Sequence, residues 1–167
     1  MRLLLSIFLI VSPIWPLGKN PLPGDPFLIV NKQTNTLAYI QDEEVRQQYS
    51  VATGRTDELT PQGLFTIIVK ARDPYYRKSD IPGGDPKNPL GTRWMGFDAE
   101  GTDGRIYGIH GTNNPSSIGQ YISNGCIRMQ NPEVEALFDR VPQGTRLLIV
   151  KSGQSFEELA KEYGAMR

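Results

Sequence analysis

The chain has 167 residues, enough for one domain that buries its own core without disulfides. Hydrophobic residues make up 38% and charged residues 22%, which excludes a disordered chain. Lys and Arg total 18, Asp and Glu also 18, and no basic cluster stands out, so no nucleic-acid partner is expected.

The first stretch, "MRLLLSIFLIVSPIWPLG", carries one positive charge at Arg2 and then an apolar run from Leu3 to Val11. That run is about half of the ~20 residues a membrane-spanning helix needs. Pro13 and Pro16 break it. Residues 1–18 therefore read as a signal peptide, or as an uncleaved N-terminal anchor, since no pair of small residues marks a cleavage site. Residues 19–26 are a Pro-rich linker. The expectation is an exported protein that meets the membrane only through this N-terminal segment.

After the linker, "FLIVNK", "TLAYI" and "VRQQYSVAT" read as short antiparallel strands joined by turns at "QTN" and "QDEE". "TPQGLFTIIVKA" supplies a turn and a further strand, Leu64 to Ala71. Asp73 to Gly91 is too rich in Pro, Gly and Asp for a regular element, and loops of that length are usually functional or flexible. "TRWMGFD" and "GRIYGIHGT" read as two strands, Asn113 to Tyr121 as a loop or short helix, and "NGCIRM" as a short strand.

"NPEVEALFDRV" is the clearest helix. Asn131 is its expected cap, Pro132 suits the first helical position, and Glu133 and Glu135 favour the positive end of the dipole. Val134, Leu137, Phe138 and Val141 share one apolar face. "RLLIV" is a last strand. "SGQSFEELAKEYG" reads as a capped terminal helix with some likeness to half of a LysM wall-binding module. The whole is mostly β, with one main helix packed on it and a short C-terminal helix.

Cys126 is the only cysteine and His110 the only histidine. An exported protein uses cysteines in pairs, so a single one is either a small core residue or a retained thiol. A free thiol ionises near pH 8.5 and needs a base to react at neutral pH. An imidazole takes that proton and later returns it to a leaving group. Gly125 allows close approach to the backbone beside Cys126, and the amides there suit an oxyanion hole. Arg128, two positions on, falls on the same side of a strand as Cys126 and suits either lowering the thiol pKa or holding a substrate carboxylate. Each residue alone is more often structural. Set together in Gly-flanked, turn-rich sequence, they point to thiol acyl transfer.

"YGIHGTNNPSSIGQYISNGCIRM", Tyr107 to Met129, closely resembles the signature of the L,D-transpeptidase catalytic domain family, the YkuD type. The matching parts are His110-Gly111 and then Ser123-Asn124-Gly125-Cys126-Ile127-Arg128. "TPQGLFTI", Thr60 to Ile67, resembles the family's Thr-Pro-x-Gly-x-Phe segment, and the opening hairpin with "VATG" is also similar. The resemblance implies an antiparallel, sandwich- or barrel-like β fold over residues 27–151, with 152–167 as a helical extension.

It also implies a cell-wall enzyme that needs no cofactor or metal. Cys126 would attack a peptidoglycan stem tetrapeptide at its third residue, and an amine of a second stem would resolve the thioester into a 3→3 cross-link. His110 would be the acid–base, with the Gly111 carbonyl orienting it. Arg128, Ser123, Asn124, Gly125 and Tyr107 would line the substrate cleft. Tyr75 and Tyr76 are weaker candidates. Asn124 stands where many members carry a second His. Carbapenems would acylate Cys126. Two other readings stay open: an L,D-carboxypeptidase with water as acceptor, and a non-catalytic wall-binding protein supported by the C-terminal helix alone.

Overall fold

The structure is a computed structural model and describes residues 20–167. The expected export segment, 1–18, lies outside the described residues. Within them, no helix is long and apolar enough to cross a membrane.

Among the described residues, ten strands form in chain order: β1 Phe27–Asn31, β2 Thr36–Gln41, β3 Glu44–Ser50, β4 Thr53–Gly54, β5 Gly63–Arg72, β6 Arg93–Phe97, β7 Tyr107–His110, β8 Tyr121–Ser123, β9 Ile127–Arg128 and β10 Arg146–Val150. Two helices follow the same numbering, α1 Asn131–Arg140 and α2 Phe156–Glu162. Eight strands make one curled sheet in the order β3-β2-β1-β10-β5-β6-β7-β9, and β4 pairs with β8 beside it. The turns at "QTN" and "QDEE" close because Asn35, Asp42 and Glu43 take left-handed backbone angles. The sheet is mixed. β1–β10 and β7–β9 run parallel, pairings that join distant segments and leave no short-range mark in the sequence.

β1 explains the layering. All five of its residues are buried, and its period-2 alternation sends them to two different cores. Leu28 and Val30 join Leu37, Tyr39, Leu147, Ile149 and the inner face of α1. Phe27 and Ile29 join Ala38, Ile40 and Leu148 under α2, which contributes Leu159 and Ala160, with Ala165 and Met166 just after it. The cap expected from "SGQSFEELAKEYG" is present, as a capping box between Ser155 and Glu158. The 152–167 segment thus covers one face of the central sheet.

On the other face, Val134, Leu137 and Phe138 of α1 are buried as the apolar stripe requires, each burial being worth roughly 1.5–3 kcal/mol. Lys70 of β5 donates to the Phe138 and Val141 carbonyls at 2.6 Å each and so closes the helix C-terminus. The expected N-cap is corrected: Gln130 is the cap residue, Asn131 is already helical, and Pro132 follows it. The Asn131 side chain faces a neighbouring loop instead.

Candidate active site

Three strands carry the site in one transverse row. β6 and β7 pair Trp94 with His110, and β7 and β9 pair His110 with Arg128. Directly paired residues share a face, so Trp94, His110 and Arg128 stand side by side. Arg128 is fixed further by two backbone bonds with Ala52, both 2.9 Å. Cys126 lies just before β9, at the end of the Ser123–Gly125 turn, rather than within the strand.

His110 is 4% exposed. Its Nδ1 lies 2.6 Å from the Gly111 carbonyl, which requires a proton on Nδ1 and leaves Nε2 as the basic nitrogen. One ring face stacks on Trp94, with centroids 5.5 Å apart and planes 17° from parallel. Trp94 is held in turn by its Nε1–H, which donates to the Gly104 carbonyl at 2.9 Å. Burial lowers the imidazole pKa to about 4; the Arg128 charge also lowers it, while the Gly111 and Leu90 carbonyls oppose the shift. His110 is therefore neutral at pH 7.

Cys126 is the one free thiol and is half-buried. Its Sγ lies 3.4 Å from the Ile106 carbonyl, to which the thiol donates. Burial pushes its pKa up, against the Gly108 amide and the Arg128 cation, which favour the thiolate. At rest the thiol and the imidazole are thus both neutral.

The turn before the cysteine is braced from within. The Ser123 hydroxyl, buried, donates to the Cys126 carbonyl at 2.6 Å and accepts from the Gly125 amide at 3.1 Å. Both bonds give Ser123 a bracing geometry rather than an open substrate contact. Gly125 has φ +135°, and a Cβ there would lie 2.5 Å from the Leu59 carbonyl, so only glycine fits. Its own carbonyl accepts from the buried Thr60 hydroxyl at 3.0 Å, and that hydroxyl accepts from the Gly54 amide at 2.8 Å. Thr60 is held by Lys32, whose ammonium donates to the Thr60 carbonyl at 2.7 Å and to the Asp57 carbonyl. Burial lowers the Lys32 pKa.

Tyr107 packs beside this turn, stacked on Phe97 with centroids 6.0 Å apart. Its hydroxyl donates to Glu100 at 2.8 Å, and that bond raises the phenol pKa. Asn124 is exposed at the turn. Tyr75 bonds Asp80, and Tyr76 bridges to Ile81, so the polar contacts of both stay within the 73–91 loop.

Trp94, Thr60, Lys32 and Asn131 were not among the site residues expected from sequence. Thr60 lies in a quoted motif, and its hydroxyl before a Pro–Gly turn was the available signal. Trp94 had none, because its place beside His110 depends on the β6–β7 register. A metal site is not formed by any cluster of His, Cys, Asp and Glu among the described residues.

The YkuD family profile, an L,D-transpeptidase catalytic domain, matches residues 25–149. A Bacillus subtilis (strain 168) protein named L,D-transpeptidase YqjB is 64% identical over 163 residues, covering 98% of this chain and 93% of its own. Among solved structures, the Ldtfm–avibactam carbamoyl enzyme superposes with a TM-score of 0.62 at 23% identity, over 77% of this chain and 49% of that one. The catalytic domain of an Enterococcus faecium L,D-transpeptidase acylated by ertapenem gives 0.57 at 25% identity, over 75% of this chain and 97% of that one. With its profile matched across three-quarters of its length, a near full-length relative and the same curled sheet, this chain belongs to the YkuD family of L,D-transpeptidase catalytic domains.

Proposed function

We propose that the protein is an exported peptidoglycan L,D-transpeptidase that forms 3→3 cross-links through a thioester on Cys126. In the first half-reaction, Sγ attacks the carbonyl of the third residue of a stem tetrapeptide while its proton passes to His110 Nε2. The tetrahedral oxyanion meets the Cys126 amide, since the Gly125 amide already bonds Ser123. Collapse breaks the peptide bond, and the leaving D-Ala amine takes the proton from Nε2. In the second half-reaction, an amine of a neighbouring stem attacks the thioester, gives its proton to Nε2, and the departing thiolate recovers it.

The observation that most supports this reading is the orientation of His110. Its Nδ1 is held by Gly111, so the free lone pair is on Nε2, and a pKa of about 4 keeps that nitrogen unprotonated at neutral pH. A thiol that starts neutral transfers its proton during attack rather than before it. Arg128 stands in the same row, close enough for its charge to act on both groups, and suits a donor carboxylate. The ertapenem-acylated relative supports carbapenem inhibition.

The test is to incubate the protein with a disaccharide-tetrapeptide and examine products by mass spectrometry. A cross-linked dimer lacking one D-Ala, absent with Cys126→Ala, is expected. Tripeptide alone, even with excess acceptor stem, would replace the transferase reading with a carboxypeptidase. No product and no carbapenem adduct on Cys126 would sink the nucleophile altogether.

A further inference from the structure

We propose that Asn131 is a positioning residue for His110, its side-chain oxygen pinning the two turns whose carbonyls face the imidazole. This rests on the reading of His110 as the acid–base.

Asn131 opens α1, where a capping role is the sequence-based expectation. Its Oδ1 instead accepts the Thr112 amide across the fold at 3.0 Å. The same oxygen sits against two glycines. A Cβ on Gly111 would lie 2.1 Å from it, and a Cβ on Gly91 would lie 2.2 Å from it. Real Cβ atoms do not approach so closely, so the carboxamide occupies the side-chain space of both glycines, and at Gly91 a positive φ and the Thr112 and Gly111 backbone exclude a Cβ as well.

These two turns share a target. The Gly111 carbonyl holds His110 Nδ1 at 2.6 Å. Leu90, directly before Gly91, presents the second carbonyl that favours a protonated ring. Asn131 therefore touches the segment whose carbonyl sets the tautomer of the imidazole and the glycine that follows the second carbonyl beside it. Its mount is rigid, because Val134, Leu137 and Phe138 anchor α1 in the core. The Gln130 cap has no side-chain capping bond, so the helix start is not what the Asn131 oxygen serves.

The test uses the full chain and follows ertapenem adduct formation on Cys126 against pH. Asn131→Ala leaves the Thr112 amide unpaired and both turns free to shift. Acylation is expected to slow by up to about 10²-fold, the scale of a small misplacement in a reacting geometry. Asn131→Asp keeps an acceptor oxygen in place and adds a negative charge beside Gly111. It should recover most of the rate and move the acid limb of the profile to higher pH, because a carboxylate favours the imidazolium. The other charged group acting on the ring is Arg128 across the β7–β9 ladder, unchanged in both variants; Glu133, on α1, bonds back to the Gln130 backbone. A purely structural Asn131 would lower stability in Asn131→Ala without slowing acylation of the folded protein.

Parental acylation in Asn131→Ala, or an unmoved acid limb in Asn131→Asp, overturns the proposal. If Asn131→Ala does not fold, the Asn131→Asp profile decides alone. A parent protein that forms no adduct removes the cysteine reading, and this proposal with it.

Discussion

Trp94 stacks on His110 across the β6–β7 ladder, and Gly108, two residues before His110, is the space that the indole fills. A Cβ on Gly108 would lie 2.6 Å from the Trp94 ring. The stack does three things at once. It dries the imidazole, it restrains one face of the ring, and through the Trp94–Gly104 bond it ties the ring to the 99–106 loop that carries Ile106, the acceptor of the thiol.

Gly108→Ala is therefore expected to push the indole off the imidazole. Overpacking of this kind costs about 1–3 kcal/mol. At roughly 2–4 °C per kcal/mol for a chain of this size, calorimetry should show a clear fall in Tm. Carbapenem acylation should slow as well. A Gly108→Ala protein with parental Tm and parental acylation rate would mean that the ring does not depend on Trp94.

The buried imidazole also predicts an acid-sensitive fold. His110 has a folded pKa of about 4 against an ordinary 6.5, so the unfolded chain binds the extra proton first. The stability from keeping the ring neutral is complete above pH 6.5 and is lost as pH falls from there towards 4. A shift of this size corresponds to about 3 kcal/mol, as an order of magnitude. Denaturation midpoints measured from pH 7 to 4 should decline, and His110→Gln should flatten much of that decline. An equally steep loss in His110→Gln would assign the acid sensitivity to carboxylates instead.

Much of this was legible in the sequence, for reasons that can be named. The strands from Phe27 to Ser50 follow short β-branched and aromatic runs bounded by turn residues that take left-handed backbone angles, both local signals. The stripe Val134, Leu137, Phe138 fixes which face of α1 is buried. Cys126 and His110 stood out by scarcity, and the surrounding motif named the family. What the sequence could not convey was pairing at a distance. The parallel β7–β9 ladder that sets Arg128 beside His110, the register that sets Trp94 there, and the turn of Asn131 away from its own helix all depend on contacts between remote segments. Ser123 matched a motif position, but only its burial reveals that its hydroxyl braces the turn.

Thr60 is expected to matter through Gly125. Its buried hydroxyl donates to the Gly125 carbonyl and accepts from the Gly54 amide. Thr60→Val keeps the shape and leaves both partners unpaired, at roughly 1–3 kcal/mol for the buried groups. Thr60→Ser keeps the hydroxyl and should stay close to the parent. Chemical denaturation would separate the two variants, and ertapenem acylation should fall in the valine variant, because the turn before Cys126 loses its tether. Equal behaviour of the valine and serine variants would rule that tether out.

Arg128 makes the most discriminating test, because two roles predict different pH profiles. Its cation lowers the imidazole pKa and also lowers the thiol pKa. Removing it should raise both. Arg128→Ala should then move the acid limb of carbapenem acylation to higher pH, since His110 must be neutral to accept the proton. It should also move the inflection of iodoacetamide labelling at Cys126 to higher pH, since the thiolate becomes harder to form. The two groups share a proton during reaction, so these limbs belong to the pair, and both must shift in the same direction. An Arg128 that only holds the donor carboxylate would slow tetrapeptide turnover at every pH and leave both limbs in place. The lysine variant separates the charge from the geometry. Arg128→Lys keeps the cation and should keep both limbs near the parent, while losing the bidentate hold on a carboxylate and with it part of the tetrapeptide rate.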